Sequence, residues 1–362
     1  MVANKINKSF WKKKRVLITG HSGFKGSWLS LWLKNLSAEV HGISLAPKKD
    51  EISLFNLINL KKIINSNFLD IRKKDKLKKK IQEIRPHIIF HLAAQPLVID
   101  GYKMPHETIE TNIMGTINLL EICKTNKFVK SIIIVTTDKV YENKGNLKGY
   151  DENSTLGGYD PYSSSKAAVE ILTSSFKNSF FDKRKISIAT ARAGNVIGGG
   201  DWSKNRIIPD IIRAWNNNRE LKIRNPQSVR PWQHVLDSLY GYILLAQKIN
   251  QNIRYSGAYN FGPKQEKKYS VMDIVNFGKR YFKNAKIVIK KEKKYHETKI
   301  LKLNTKKTEK ILNFSSMWGT SKSIKQTMNW YKKFYEGTNS KQLCLDDIKN
   351  YEKSANKQKF YN

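Results

Sequence analysis

The chain has little cysteine and no long apolar run, and each shortage excludes a class of protein. Cys123 and Cys344 are the only cysteines among 362 residues, and neither belongs to a Cys-x-x-Cys or Cys/His cluster. We therefore expect no disulfide framework and no metal site. The apolar run Trp28–Leu33 is cut by Lys34 and is far shorter than the roughly 18 residues of a membrane-spanning helix. Residues 1–15 are basic and lack the apolar stretch of a signal peptide, so we expect a cytoplasmic protein with no membrane partner.

Acidic residues are also scarce, with 30 of them against 67 basic residues, which gives a net charge of +37. Such an excess often marks a nucleic-acid-binding surface. Here the lysines are spread along the whole chain, and the densest run, residues 72–80, is interleaved with Leu77 and Ile81 at helical spacing. We interpret that run as the solvated face of an amphipathic helix, and we expect no nucleic-acid partner. The charge should instead attract a polyanionic or phosphorylated small substrate.

The first half of the chain alternates short β-branched runs with helix-length segments, which is the pattern of parallel βαβ units. Strands are predicted at residues 15–19, 39–45, 88–92, 131–136 and 186–191. Helices are predicted from Gly26, around 75–84, around 108–124 and around 163–177. The pattern predicts an α/β fold, with a doubly wound Rossmann-type parallel sheet and a smaller C-terminal substrate-binding lobe.

A glycine-rich turn follows the first predicted strand. Gly20, Gly23 and Gly26 supply the tight curvature, the close backbone approach and the helix–strand packing that a dinucleotide phosphate requires. A turn between a strand and a helix also places the phosphates on the helix N-terminus. We therefore predict that this turn, which includes Phe24, binds a dinucleotide cofactor.

A tyrosine and a lysine four residues apart, Tyr162 and Lys166, lie on one face of a predicted helix. The ammonium group can lower the pKa of the phenol toward neutrality, which would leave a phenolate able to take a proton from a sugar hydroxyl. The glycine-rich turn supplies the cofactor that must accept the hydride in the same step. The two motifs together predict oxidation of an alcohol.

In this order and at this distance, the two motifs resemble those of the extended short-chain dehydrogenase/reductase family. Longer stretches that carry the resemblance are residues 19–29, 93–98, 158–166, 192–202 and 230–235. The resemblance extends from about Trp11 to about Tyr335. It implies further cofactor contacts at Ser44, Asp70, Ile71, Ala93 and Ala94.

The position that selects the cofactor departs from the family pattern. The acidic residue usual at the end of the second strand, which would hold the adenosine ribose, is replaced by Ser44. The residues therefore leave NAD and NADP open, and we expect NAD. Asp70 fits two interpretations equally, as the family's adenine contact or as a helix N-cap.

Polar residues after the strand at 131–136 reach the carboxyl edge of the sheet, where ligands bind. Thr137 occupies the family's hydroxyl position beside the tyrosine. Asp138 matches the acid of sugar-nucleotide 4,6-dehydratases, which protonates the departing C6 hydroxyl, and Lys139 in place of Glu is similar to the branch that acts on CDP-glucose. The resemblance thus implies a hydro-lyase with catalytic residues Thr137, Asp138, Lys139, Tyr162 and Lys166. The base at C5 stays open between Lys139 and Glu142.

Two alternatives remain beside the dehydratase. A sugar-nucleotide 4-epimerase would use the same glycine turn and tyrosine–lysine pair, but it has no need of Asp138. A non-catalytic member that binds RNA or acts as a sensor would suit the charge of +37, but such members usually lose Tyr162 or Lys166.

The resemblance also implies which residues contact the sugar nucleotide. They are Gln95, Asn112, Asn195, Arg230 and His296. The planar fork of Arg230 suits a pyrophosphate, and Asn112 matches a helix residue that helps to place the catalytic lysine. The family often assembles through the helices that bear Asn112 and Tyr162, so we expect a homodimer or homotetramer.

The motifs divide the chain into predicted domains. Residues 1–194 form the dinucleotide-binding Rossmann domain, and residues 235–262 return to it. Residues 195–234 and 263–336 form the sugar-nucleotide-binding lobe. Residues 337–362 form a polar tail, docked or frayed.

Overall fold

The computed structural model describes residues 5–146, 148–264, 268–290 and 301–357. The strands in these ranges are β1 Arg15–Thr19, β2 Glu39–Ser44, β3 Asn65–Phe68, β4 Ile88–His91, β5 Ser131–Val135, β6 Ser187–Ala193, β7 Val196–Ile197, β8 Leu221–Ile223, β9 Gln233–His234, β10 Gly257–Phe261 and β11 Ile287–Ile289. One parallel sheet has the strand order β10-β6-β5-β4-β1-β2-β3. The smaller pairs are β8 with β11 and β7 with β9, both parallel.

Helices cover both faces of the large sheet. The helices in the described ranges are α1 Lys8–Trp11, α2 Phe24–Asn35, α3 Leu54–Leu57, α4 Lys74–Ile84, α5 Val98–Lys103, α6 Pro105–Ile109, α7 Gly115–Thr125, α8 Pro161–Phe176, α9 Asp182–Arg184, α10 Ile207–Asn216, α11 Val235–Gln251, α12 Val271–Lys279, α13 Lys306–Leu312, α14 Thr320–Tyr335 and α15 Ser340–Lys357. Short 3-10 turns span Leu60–Lys62, Asp138–Val140 and Ile253–Tyr255. No helix among the described residues is both long enough and apolar enough to cross a lipid bilayer.

The predicted doubly wound α/β fold is confirmed. The inner strands β1, β4 and β5 are almost entirely buried, because helices cover both faces of the sheet. One hydrophobic core includes residues of α2, α11, α14 and α15, and a second core on the other face includes residues of α4, α7 and α8. All five predicted strands are present, with ends shifted by two residues at most.

The structure departs from the sequence-based prediction at the sheet edges and in one helix. The edge strands β3 and β10 were not predicted, since the Asn-Ser-Asn-Phe of β3 carries no apolar run. The helix predicted around residues 108–124 is interrupted, because a π-helical turn over Glu110–Met114 separates α6 from α7. Such turns are frequent at functional sites, and this one contains Asn112.

The polar segment near the C-terminus forms a helix that packs on the main domain. The face of α15 that includes Ile348 and Tyr351 is buried. The Tyr351 hydroxyl donates a hydrogen bond to the carboxylate of Asp237 on α11. The indole of Trp32 on α2 donates a hydrogen bond to Glu352 over 2.8 Å. These contacts join α15 to the two helices that cover one face of the sheet.

Candidate active site

A cavity of about 310 Å³ lies at the carboxyl ends of β5 and β6, next to the smaller pair β8–β11. The segments that line it include residues 96–99 after β4, 136–139 after β5, 193–198 after β6 and 222–225 around β8. This edge is where α/β sheets bind ligands. The residues predicted as catalytic or substrate-binding that line this cavity are Thr137, Asp138, Lys139, Tyr162, Asn195 and Arg230.

Asp138 is a buried carboxyl group with one oxygen left unpaired. The Thr137 hydroxyl donates a hydrogen bond to its Oδ1 over 3.0 Å, whereas Oδ2 has no hydrogen-bond partner among the described residues. Gly194 leaves room for it, since a Cβ there would lie 3.0 Å from Oδ2. Burial raises the pKa of Asp138, against the opposing charges of Lys139 and Arg230. A raised pKa favours the protonated form, which can act as an acid.

Tyr162 lies at the start of α8 and is buried in the cavity wall. Burial raises the pKa of its hydroxyl to about 12, although the hydrogen bond with Thr137 opposes the shift. The expectation that Lys166 brings this pKa toward neutrality is therefore wrong. Removal of the phenol from water outweighs the attraction of nearby positive charge.

Lys166 lies behind the cavity wall and is fully enclosed. Its Nζ donates a hydrogen bond to the carbonyl of Val135 at the end of β5, over 3.1 Å. Burial lowers the pKa of Lys166 to about 8, and the negative charge of Glu170 opposes that shift. The ammonium form therefore still dominates at neutral pH.

Asn112 connects the helix of the tyrosine–lysine pair to the loop after β4. Its Nδ2 donates hydrogen bonds to the Ser165 hydroxyl, over 2.9 Å, and to the carbonyl of Gln95. Its Oδ1 accepts a hydrogen bond from the backbone N–H of Gln95 over 2.8 Å. The Gln95 side chain is engaged by Leu97 and Thr108 and does not line the cavity. The side chains of both predicted substrate contacts are thus engaged here by backbone and hydroxyl groups of the protein itself.

The glycine-rich turn has the geometry expected of a dinucleotide site. Gly20 has a φ of +77°, and a Cβ there would lie 2.7 Å from the backbone nitrogen of Ala93. A Cβ on Gly26 would lie 2.1 Å from the Gly20 carbonyl oxygen. Gly23 is exposed and is the N-cap of α2, and no side-chain hydrogen bond caps this helix, so the helix N-terminus is available to an anion. Phe24 is the first residue of α2.

The remaining predicted cofactor residues lie around the ends of β2, β3 and β4. The Ser44 hydroxyl donates a hydrogen bond to the Ser22 hydroxyl over 2.9 Å, which ties β2 to the glycine turn. Burial alone would raise the pKa of Asp70, but hydrogen bonds from Arg72 outweigh it and hold the pKa below its ordinary value. The interpretation of Asp70 as an N-cap is wrong, because Lys73 precedes the first residue of α4.

The last three of the predicted cofactor residues are Ile71, Ala93 and Ala94. Ile71 is buried against Gly115, where a Cβ would lie 2.5 Å from its Cδ1. Ala93 and Ala94 lie in the loop that follows β4.

His296 lies outside the described residues, so its place in the site stays a prediction. In the described ranges, no cluster of three or more His, Cys, Asp or Glu residues could hold a metal ion.

The sequence analysis missed part of the cavity wall. Lys25, inside the glycine-rich turn, lines the cavity, and burial lowers its pKa to about 7, with the charge of Arg206 adding to the shift. Arg206 itself is paired with Asp201 over 3.1 Å. A lysine among the otherwise apolar and small residues at the start of α2 was the available signal. No signal in the sequence marked Arg206, because its contacts arise only in the folded protein.

Almost the whole chain is similar to known sugar-nucleotide enzymes. A family model described as GDP-mannose 4,6 dehydratase matches residues 17–339. The chain is 43% identical over 354 residues to the CDP-glucose 4,6-dehydratase of Salmonella typhimurium, which covers 96% of this chain and 98% of that protein.

Two solved structures share the fold. The UDP-glucuronic acid 4-epimerase of Bacillus cereus, in complex with UDP-glucuronic acid and NAD, matches with a TM-score of 0.76 and 25% identity, over 88% of this chain and 99% of that one. The dTDP-glucose 4,6-dehydratase of Bacillus anthracis, in complex with NAD, matches with a TM-score of 0.72 and 21% identity, over 89% of this chain and 97% of that one. The family match and the near full-length relative confirm the resemblance of the motifs, and the chain belongs to the extended short-chain dehydrogenase/reductase family, in the group described as GDP-mannose 4,6 dehydratase.

Proposed function

We propose that the protein is an NAD-dependent hydro-lyase that converts CDP-glucose to CDP-4-keto-6-deoxyglucose. The observation that carries the proposal is the buried Asp138, which has an unpaired oxygen and lies beside Thr137 and Tyr162 in one cavity. An acid at this place is needed for elimination of water but not for epimerisation. The 43% identity to a CDP-glucose 4,6-dehydratase supports the choice of nucleotide.

The glycine-rich turn and the ends of β2 to β4 fit NAD. Gly20, Gly23 and Gly26 would hold the pyrophosphate at the start of α2, and Ser44 and Asp70 would lie on the adenosine side. Bound NAD would supply the hydride acceptor for C4 and the hydride donor for C6. The protein's own residues then have to orient the sugar and move protons.

Oxidation at C4 requires removal of the hydroxyl proton. Tyr162 takes it, with Thr137 as a hydrogen-bond partner that also contacts the sugar oxygen. Lys166 provides the positive charge that favours the phenolate form. The ketone formed at C4 acidifies the hydrogen at C5.

Elimination of water across C5 and C6 needs an acid and a base. Asp138 protonates the departing C6 hydroxyl, in keeping with its raised pKa. Lys139 lines the same cavity, whereas Glu142 is exposed, is paired with Lys144 over 3.1 Å and does not line it. Of the two candidates left open by the sequence, we therefore assign the C5 base to Lys139, which would act in its neutral amine form because a protonated amine cannot accept the C5 proton.

The small lobe, with residues 195–234 and 263–336, is proposed to hold the nucleotide. The cavity has more basic than acidic side chains, which suits a pyrophosphate. The basic ones are Lys25, Lys139, Arg206, Lys222, Arg224 and Arg230, and the acidic ones are Asp138, Asp201 and Asp210. Arg230 is buried in this wall, where its planar fork can pair with two phosphate oxygens.

Arg230→Ala should raise KM for the sugar nucleotide about 10- to 100-fold, the value of a hydrogen bond to a charged group. The effect on kcat should be small, because phosphate contacts are equal in the ground and transition states. Steady-state kinetics measure both constants. Arg219→Ala is the matched control, since Arg219 is exposed and outside the cavity. An unchanged KM in the folded Arg230 variant would remove Arg230 from the site.

Product analysis tests the proposed reaction itself. The protein is incubated with NAD and, separately, with CDP-glucose, dTDP-glucose and GDP-mannose, and the products are analysed by mass spectrometry. The proposal requires loss of one water, with CDP-glucose as the best substrate. A product of unchanged mass but altered C4 configuration would instead identify a 4-epimerase.

We also propose that the protein forms a homodimer through the helices that bear Asn112 and Tyr162. Large apolar side chains on the outer faces of these helices are exposed, namely Ile109, Met114 and Ile171. Clustered apolar exposure of this kind marks an interaction surface. A second copy would cover the same helices by two-fold symmetry.

Ile171→Asp should convert the dimer to a monomer, because the new charge would be buried without a partner at the interface. Analytical ultracentrifugation measures the mass of the assembly. Ile52→Asp is the matched control, since Ile52 is 54% exposed, close to the 58% of Ile171, but lies outside these helices. A monomeric wild-type protein, or an Ile171 variant that remains dimeric, would disprove this interface.

A further inference from the structure

A buried carboxylate, Glu170, lies one helical turn beyond Lys166 on α8. It accepts hydrogen bonds from the hydroxyls of Thr136 and Thr190, the second over 2.6 Å. Its Oε2 also accepts a hydrogen bond from the guanidinium of Arg192 over 2.9 Å, and both charged groups are almost completely enclosed. Burial of an ion pair is costly, so its presence beside the catalytic wall calls for a functional explanation.

The three partners of Glu170 come from β6 and from the residue that follows β5, the two strands whose ends form the cavity. Thr136 directly precedes Thr137 and Asp138 at the end of β5, and Thr190 and Arg192 lie on β6. Lys166 in turn donates its hydrogen bond to Val135, next to Thr136. One carboxylate therefore joins α8, which bears Tyr162, to the segment that bears the proposed acid.

Arg192 is held in place on its other side. Its Nη1 donates hydrogen bonds to the Tyr141 hydroxyl over 2.8 Å and to the carbonyl of Glu152 over 3.2 Å. These two hydrogen bonds fix the orientation of the guanidinium independently of Glu170. This arrangement leaves the Glu170 carboxylate few alternative positions.

We propose that Glu170, one turn of α8 from Lys166 and oriented by Arg192, is a positioning residue for Lys166 and for the Thr137–Asp138 segment beside Tyr162. The inference rests on the proposed function, because it concerns the oxidation step assigned to Tyr162. Neither Glu170 nor Arg192 touches the cavity, so both act through other residues.

The electrostatics around Lys166 support this role. Burial lowers the pKa of Lys166, and the charge of Glu170 opposes the shift and leaves the pKa at about 8. His91, which also lies near Lys166, is held neutral because burial lowers its pKa to about 3. Lys25, when protonated, is a further positive charge near Lys166, so it cannot stabilise the Lys166 ammonium as a carboxylate does. The other titratable groups around the ion pair are Tyr141, Glu152 and Lys307, which face Arg192.

Glu170→Gln tests the proposal, because it keeps the shape of the side chain and removes its charge. Without the carboxylate, and with Arg192 still positive, the pKa of Lys166 should fall by about one to two units. Lys166 must stay protonated for Tyr162 to act, so the alkaline limb of the pH profile should shift to lower pH by the same amount. At a pH above the Lys166 pKa of both the wild type and the variant, the rate of the variant should be about 10- to 100-fold below that of the wild type.

The measurement is the pH dependence of the single-turnover oxidation at C4, followed by the absorbance of the reduced cofactor. This step does not use Asp138 as an acid, and because Asp138 is unchanged in every variant, the effect of its charge on Tyr162 is common to all the profiles. Glu152→Gln is the matched control, because Glu152 also faces Arg192 but does not act on Lys166. Its alkaline limb should coincide with that of the wild type.

A second variant separates this role from a loss of stability. Glu170→Gln with Arg192→Met removes both charges and should unfold at a higher temperature than Glu170→Gln alone, since no unpaired charge remains buried. The alkaline limb of this double variant should still lie at a lower pH than that of the wild type. If either folded variant keeps the wild-type profile, Glu170 does not set the charge of Lys166 and the inference is wrong. If the wild-type protein makes no dehydrated product, the proposed function fails instead.

Discussion

Tyr162→Phe is expected to reduce kcat about 10⁴-fold, at the upper end of what loss of a general base costs, while the Kd of the sugar nucleotide changes little. The substitution removes one oxygen and keeps the ring that is buried in the cavity wall. That oxygen is needed to take the C4 proton and contributes little to ground-state binding. Steady-state kinetics and equilibrium binding of CDP-glucose measure the two quantities separately.

The matched control for this variant is Tyr259→Phe. Tyr259 is also buried and loses one hydrogen bond, from its hydroxyl to the Tyr255 carbonyl, but it lies on β10 away from the cavity. Its kcat should remain close to that of the wild type. If the Tyr162 variant kept more than a small fraction of kcat, Tyr162 could not be the base.

The pKa of Tyr162 also determines how its activity should depend on pH. Burial raises this pKa to about 12, so the phenol carries its proton at neutral pH. A base must be deprotonated to act, and the rate of C4 oxidation should therefore rise with pH until Lys166, with a pKa of about 8, loses its charge. With these two pKa values, phenolate and ammonium are never both the major forms, so the active pair is a minor population of the protein.

Much of the fold could be predicted because its inner strands carry a local signal. β1 and β5 are apolar because both faces of each strand are covered, and that requirement is visible in the sequence. β3 lies at the edge of the sheet and is only partly buried, so polar residues are tolerated and no pattern marks it. The π-helical turn over Glu110–Met114 likewise depends on contacts with other parts of the chain, such as the pairing of Asn112 with Gln95.

The candidate site shows the same division. Asp138 and Tyr162 could be predicted because each lies in a motif whose residue types carry the chemistry. Glu170 could not, because its role comes from burial and from a neighbour distant in sequence, Arg192. A charged residue on a helix predicts solvent exposure by default, and only the folded structure reveals the exceptions.

Asp138→Asn should separate elimination from oxidation. An amide cannot donate a proton as an acid, so formation of the 4-keto-6-deoxy product should fall by about 10²- to 10⁴-fold. Oxidation at C4 relies on Tyr162, Thr137 and Lys166, which the substitution leaves in place. Reduced cofactor should therefore accumulate when the substrate is added, and its absorbance, compared with product measured by mass spectrometry, shows the separation.

The pH dependence of the wild-type protein gives an independent check on the same residue. Burial raises the pKa of Asp138, so its acid form persists to a higher pH than that of an exposed aspartate. Elimination should slow as the pH rises through that pKa, and this limb should be missing from the residual activity of Asp138→Asn. The accumulation of reduced cofactor is the internal control, because it shows that the variant is folded and binds its ligands. If Asp138→Asn formed product at the wild-type rate, Asp138 would have only a structural role in its turn. The dehydratase mechanism would then have no acid to protonate the C6 hydroxyl.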